Sequence, residues 1–305
     1  MSKSNEAAEP LLIAGTVPLK DTPLLIGEIG REGEFLLADG VRIPATQGTG
    51  AMISAAFTVT EYLKLPPPQV ALAGDTGGGQ GSRAVYEYLI ENVARLAPAV
   101  LALHYCLPDM PMMRRLCRAV KDCPKRPVMI ADAGAMYAAK EAGLSGEFDI
   151  FTPDATELAF LADPQATHPA YIQRHLFSAE AGTAPALAVR AYRDRNAARL
   201  LLIKGSTDYI VRDGDIMCRI SDPDVPELEA IGGTGDTITG LVAGFSLAGL
   251  EPYQAAVMAA RTNRTAGELA GVTPASRVWE IIARFPAVFK ENLCQWSGIC
   301  TNRNI

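Results

Sequence analysis

From residue 70 onward, short apolar runs alternate with amphipathic stretches. Residues 70–73, 100–104, 128–131 and 149–152 read as short buried strands. Residues 82–97, 109–120 and 134–142 carry apolar side chains at helical spacing, and another helix starts at Asp154. This alternation predicts an α/β fold with a largely parallel sheet covered by helices on both faces. The pattern continues with a helix over 184–196, a strand over 200–203 and a hairpin over 208–219 that turns at Arg212-Asp213-Gly214. Two long helices follow, 234–248 and 252–270. Pro252 stands near the start of the second and Gly271 beyond its end, which is ordinary helix punctuation. Ahead of the alternation, a helix over 49–65 is stopped by Pro66-Pro67-Pro68. Turn signals divide residues 1–45 into short strands at 24–26, 34–37 and 41–43. No linker or internal repeat divides the chain. The expectation is one domain over 1–305, with 1–45 as a divergent β segment and 285–305 as a C-terminal tail.

Composition supports one large core: 305 residues, 49% of them hydrophobic, with a formal net charge of −6. Charges alternate in sign and no basic run occurs, which argues against a nucleic-acid partner. Residues 1–10 lack the basic start and apolar core of a signal peptide. No apolar stretch approaches the ~20 residues of a membrane span. A cytoplasmic protein without membrane contact is expected. The cysteines at 106, 117, 123, 218, 294 and 300 form no Cys-x-x-Cys pair, so reduced thiols are expected and structural zinc is not. The histidines are 104, 168 and 175, without a His-Glu-x-x-His or Gly-x-Ser-x-Gly motif.

Four loops carry candidate chemistry. The first is Ile231-Gly232-Gly233-Thr234-Gly235-Asp236-Thr237, leading into a helix whose apolar face (Ile238, Leu241, Val242, Phe245) anchors it. Small residues at a helix start make an anion site, and Asp236 places a proton acceptor in the same turn. A plain turn, with Thr234 as cap and Asp236 as a first-turn acid, accounts for the same residues. Gly240 and Gly244 inside this helix imply close packing against a neighbour, since each costs ~1 kcal/mol against alanine. The second loop, Gly74-Asp75-Thr76-Gly77-Gly78-Gly79-Gln80-Gly81-Ser82, lies between a strand and a helix. It fits the dinucleotide fingerprint only loosely, because the next strand ends without an acid for a ribose. Its remaining readings are a flexible turn or a backbone cradle for part of a ligand. The third, Thr152-Pro153-Asp154-Ala155-Thr156-Glu157, follows a strand. Asp154 and Glu157 suit a hydrated Mg²⁺ or a capping box, or both. The fourth, Ile203-Lys204-Gly205-Ser206, puts a lysine at a strand end, where it suits a phosphate or merely solvent. His104, a lone histidine, reads as a structural residue. No Gly-x-x-x-x-Gly-Lys-[Ser/Thr] occurs, which excludes a Walker-type site.

Together these segments resemble the ribokinase-like superfamily, and within it the nucleotide-dependent NAD(P)H-hydrate dehydratases. The Gly232–Gly240 segment is similar to that family's Gly-Gly-[Ser/Thr]-Gly-Asp loop, and Ile203–Ile210 to its Leu-Lys-Gly-x-x-Thr-x-Ile segment. Ala266-Gly267-Glu268-Leu269-Ala270 is similar to its Ala-Gly-x-x-Ala helix, and Asp132-Ala133-Gly134-Ala135 to its Asp-x-Asp-Ala stretch. The likeness covers residues 128–275 and is weak over the first 70. Where the dehydratases carry Pro-His-x-Gly-Glu, this chain has Pro153-Asp154-Ala155-Thr156-Glu157, closer to the Asn-x-x-Glu of sugar kinases. The resemblance implies a three-layer α/β/α sandwich and an enzyme that uses ATP or ADP with Mg²⁺ on a small-molecule substrate. It implies Asp236 as catalytic base. It places Lys204, Gly205, Gly232, Gly233, Thr234 and Gly235 at the nucleotide phosphates, and Glu157 near the metal. Asp75, Gly77, Gly78, Asp132 and Asp154 are substrate-side candidates. Dehydration of a hydrated nicotinamide cofactor is the first reading. A small-molecule kinase and a non-catalytic nucleotide-binding relative are the alternatives. A homo-oligomer is compatible with all three.

Overall fold

The computed structural model describes residues 9–166 and 183–300. His168 and His175 lie outside the described residues, as do residues 1–8 and 301–305 of the expected terminal segments. The strands are β1 (Leu11–Val17), β2 (Leu25–Glu28), β3 (Gly30–Glu32), β4 (Phe35–Ala38), β5 (Val41–Pro44), β6 (Gln69–Gly74), β7 (Val100–His104), β8 (Val128–Ala131), β9 (Ile150–Phe151), β10 (Leu200–Ile203), β11 (Asp208–Arg212) and β12 (Asp215–Ile220). The helices are α1 (Gly48–Leu63), α2 (Gln80–Leu96), α3 (Met110–Val120), α4 (Ala133–Glu141), α5 (Ala155–Ala162), α6 (Ala184–Arg193), α7 (Thr234–Leu247), α8 (Pro252–Ala270), α9 (Val278–Ile282) and α10 (Phe285–Ser297).

A nine-stranded sheet runs in the order β12-β11-β10-β9-β8-β7-β1-β6-β2. Its middle, from β10 to β6, is parallel. Antiparallel strands close both ends: β2 on β6, and the β11–β12 hairpin on β10. Alternate residues of β1 face opposite layers, as a pleated strand requires. Leu11 and Ile13 join the core with α1, α7, α8, α9 and α10. Leu12 and Ala14 join the core with α2, α3, α4, α5 and α6. The expected three-layer α/β/α arrangement is present. A separate three-stranded sheet, β3-β4-β5, tucks Leu36, Ala38 and Ile43 into the first of these cores and leads into α1. Among the described residues, no helix is long and apolar enough to cross a membrane.

Three expectations need correction. Residues 11–17 were not among the expected strands, yet β1 is central and buried along its whole length. A strand covered on both faces loses the apolar–polar alternation that marks strands in a sequence. The expected C-terminal tail is largely helix α10, with Phe285, Val288, Phe289 and Leu293 buried. Beyond it Gly298 adopts φ 76° and turns the chain back, so Cys294 and Cys300 meet in a disulfide rather than standing as thiols. The other cysteines are free, as expected.

The glycines of α7 have the predicted purpose. A Cβ on Gly240 would lie 2.0 Å from the Met52 carbonyl oxygen of α1. The two helices therefore approach backbone to backbone, and the N-terminus of α7 is held against that of α1. Because β7, β8, β9 and β10 are parallel, the residues that follow them emerge at one sheet edge. His104, Asp132, Asp154 and Lys204 all lie there, at the carboxyl ends where ligands of α/β proteins collect.

Candidate active site

Helix α7 begins where Gly233 takes φ 101°, a left-handed conformation that favours glycine. A Cβ there would also crowd the Gln47 Cα and the Thr46 carbonyl oxygen at 3.1 Å. Gly233, not Thr234, is the N-cap. The Thr234 hydroxyl lies 2.9 Å from the Leu228 carbonyl and 3.1 Å from that of Ile231, which ties the loop to the preceding turn. The first-turn N–H groups of a helix lack intrahelical partners, so the start of α7 can receive an anion.

Asp236 sits in that first turn. Its Oδ2 accepts the Gly48 backbone N–H at 2.6 Å, and its Oδ1 lies 3.0 Å from Nε2 of His104. Burial would raise the Asp236 carboxyl. The His104 hydrogen bond and charge, Lys204 and the Gly48 N–H outweigh it and hold the group below the usual carboxylate range. His104 is fully buried, and its Nε2 is also 3.8 Å from Asp132 Oδ2. Sequence reasoning treated this histidine as structural. Its partner stands 132 positions away, a relation that no local motif announces.

Lys204 Nζ lies 2.9 and 3.1 Å from the two Asp132 oxygens. Burial would lower the Lys204 ammonium, but Asp132, Glu157 and Asp236 keep it well above its ordinary value. The side chain passes beside Gly235, where a Cβ would lie 3.5 Å from Nζ. The lysine therefore has a buried carboxylate partner besides any phosphate. Asp132 also accepts the Thr239 hydroxyl at 2.6 Å.

Asp154 and Glu157 form the capping box of α5. The Glu157 N–H donates to Asp154 Oδ1 at 2.8 Å, and the Asp154 N–H donates to Glu157 Oε2 at 2.9 Å. Tyr137 donates its hydroxyl to Glu157 Oε1 at 2.8 Å. Burial first, then the Asp132 charge, pushes the Glu157 carboxyl up to about 8.

Two cavities meet at Asp236. The larger, about 650 Å³, is bordered by Asp132, Asp154, Glu157, Lys204 and Gly205 on the strand side, and by Thr234, Gly235, Asp236 and Arg264 on the helix side. The smaller, about 380 Å³, is bordered by Thr16, Gln47, Gly48, Thr49, Asp75, Gly232 and Gly233. Tyr105 and Asp236 border both. Burial, then Asp236 and Asp132, pushes the Tyr105 phenol up to about 12, so its hydroxyl stays neutral.

The substrate-side candidates are thus divided. Asp132 and Asp154 line the larger cavity with four of the phosphate candidates, Lys204, Gly205, Thr234 and Gly235. Only Asp75 reaches the smaller one, where the other two phosphate candidates, Gly232 and Gly233, also lie. Gly77 and Gly78 line neither. Asp75 organises its own loop, accepting the backbone N–H groups of Gly77, Gly79 and Ser82 and the Ser82 hydroxyl. Burial opposes these bonds, but together they lower the Asp75 carboxyl.

The architecture is ribokinase-like. A ribokinase-like superfamily protein of Enterococcus faecalis matches with a TM-score of 0.54, covering 92% of this chain and 86% of its own at 17% identity. The chain belongs to the NAD(P)H-hydrate dehydratase family, whose model matches residues 97–276. An uncharacterized protein of Methanocaldococcus jannaschii is 35% identical over 242 residues, which is 79% of this chain and 100% of that protein. The ADP-dependent (S)-NAD(P)H-hydrate dehydratase of Xanthomonas campestris is 26% identical over 251 residues, 80% of this chain and 78% of that one.

Proposed function

We propose that this chain is a nucleotide-dependent NAD(P)H-hydrate dehydratase, with Asp236 as the base that takes the proton from the ring hydroxyl. The position of Asp236 on the wall of both cavities carries this reading, because one carboxylate can then reach ligands on either side.

The larger cavity fits a nucleotide's phosphates with a cation. The start of α7 offers N–H groups and Lys204 an ammonium. Asp132 is paired with Lys204 and Asp208 with Arg264, which leaves Asp154, Glu157, Asp224, Glu229 and Asp236 as further acids on the wall. Phosphates entering such a wall need positive charge between, and Mg²⁺ held through water meets that need. A cation nearby would displace the proton that Glu157 otherwise holds up to about 8, and each of its oxygens, with one hydrogen bond, would keep a lone pair for a water ligand.

When bound, the nucleotide supplies the phosphoryl group that makes the ring hydroxyl a good leaving group, and Mg²⁺ offsets its charge. The chain's residues do the rest. Gly235 and Asp236, in the first turn of α7, present backbone donors to the charge that builds during transfer, while the Thr234 N–H turns to the Ile231 carbonyl. Gly48 and His104 hold the Asp236 oxygens, so the carboxylate needs no reorganisation to receive the proton. Lys204 adds a fixed positive charge beneath the loop. The smaller cavity, bordered by uncharged side chains apart from its two acids, takes the neutral hydrated ring.

Incubation with hydrated NADH, Mg²⁺ and either ADP or ATP tests this, followed by the return of nicotinamide absorbance. Recovery that requires nucleotide supports the reading. No recovery, with phosphoester formation on a panel of hydroxylated acceptors, supports a small-molecule kinase instead, the reading that Asp154-x-x-Glu157 favours. Nucleotide binding with neither activity identifies a non-catalytic relative.

A further inference from the structure

We propose that His104 is the positioning residue for Asp236, and that it does this as an imidazolium carrying protons on both ring nitrogens. The proposal rests on the reading of Asp236 as the base, but its first observation does not.

The Thr49 hydroxyl lies 2.7 Å from the Thr16 carbonyl oxygen, which can only accept. A hydroxyl has one proton, so Thr49 spends its proton there. The same oxygen lies 3.0 Å from Nδ1 of His104 and can therefore only accept from it. Nδ1 carries a proton. On the other side of the ring, Nε2 stands 3.0 Å from Asp236 Oδ1, and two lone pairs at that distance would repel. A second proton lies between them. Asp132 at 3.8 Å from Nε2 favours a positive ring, and the Gly48 N–H on Oδ2 with the Lys204 ammonium beyond Asp132 favours an anionic Asp236, so the shared proton is assigned to Nε2.

The groups facing the ring suit this charge. Asp236 and Asp132 flank Nε2 at 3.0 and 3.8 Å, Thr49 faces Nδ1, and the Tyr105 ring lies edge-on at 4.4 Å between centroids. Lys204 stands beyond Asp132. Lys204, Asp132, His104 and Asp236 thus form a string of alternating sign whose two middle members are buried. Each charge is stabilised by its neighbour rather than by water, which is the condition for burying it. The effect on Asp236 is twofold. Its Oδ1 is fixed in direction, and its negative charge persists into more acid solution than an isolated carboxylate's would.

Nitrogen-15 NMR of the wild-type protein reads the ring directly, with His104 assigned by the signals lost in His104→Gln. The expected result is two protonated ring nitrogens at neutral pH; a ring with one proton overturns the proposal whether or not the protein turns over hydrated NADH. Kinetics add the positioning role. In His104→Leu, kcat should fall roughly a hundredfold and the acid limb of kcat/KM should move up by about one pH unit, with nucleotide affinity within about threefold. His104→Gln restores a neutral donor, so it should recover about tenfold of the kcat loss while keeping the shifted limb. A folded His104→Leu protein whose acid limb stays in place would show that the histidine only fills space.

Discussion

The two cavities that meet at Asp236 differ in charge more than in size. The larger carries Lys204 and Arg264 among many carboxylates, while the smaller has Asp75 and Asp236 as its acids and no basic side chain. Asp75 is moreover committed to the N–H groups of its own loop. One side is thus built to balance charge and suits phosphate with a cation. The other offers a threonine pair, a glutamine and a neutral tyrosine, and suits an uncharged hydroxylated ring. Asp236 stands at the boundary between them. If Asp236 is the proposed base, its proton chemistry would face the small cavity, and the phosphate charge would be balanced in the large one.

Lys204→Met should break the charged side most severely. It strands Asp132, which is 2% exposed, beside Glu157 and Asp236. Removing one partner of such a pair costs roughly 3–5 kcal/mol, readable as a lower urea midpoint. Adding Asp132→Asn should recover most of that loss, and an additive double variant would show that the pair is not the cause.

Glu157→Gln probes the same wall through pH. The folded protein holds the Glu157 proton up to about 8, whereas an unfolded chain releases it near pH 4.5. Between those values the unfolded state binds fewer protons, so wild-type stability falls as pH rises. The amide has no proton to lose. Stability of the variant relative to wild type should therefore grow by roughly 2–4 kcal/mol from pH 5 to 8 in thermal melts without Mg²⁺. A pH-independent difference would place Glu157 in a less buried setting.

Tyr105→Ala sharpens the boundary with a smaller effect. Tyr105 borders both cavities at the edge of the His104 ring. If it serves the uncharged side, KM for the hydrated cofactor should rise about tenfold, with nucleotide affinity within about threefold. The reverse pattern would assign the ring to the nucleotide.

Sequence reasoning was most effective where chemistry and structure are local. The Gly232–Thr237 turn, the Asp154/Glu157 capping box and the Pro252/Gly271 punctuation are each written within a few residues, and each has its expected local form. The N-cap of α7 is Gly233 rather than Thr234: the glycine takes the left-handed turn there and gives the first-turn N–H groups no side-chain acceptor. What was not legible depends on distant contacts. β1 is hidden by burial on both faces, and α10 by its place beyond the last recognisable motif. The Gly48 N–H reaches Asp236 across 188 positions, and a backbone donor leaves no residue-type signal. The His104–Asp236 pair required the β7 edge and the α7 start to be brought together by the close α1–α7 approach at Gly240.

If Asp236 is the base, replacing it should stop turnover while the start of α7 and Lys204 still bind phosphate. Asp236→Asn, measured for nucleotide affinity by calorimetry and for turnover of hydrated NADH on the same preparation, tests it directly. Turnover should be lower by about a thousandfold or more, with nucleotide affinity within about threefold of wild type. Turnover within about tenfold of wild type would contradict it.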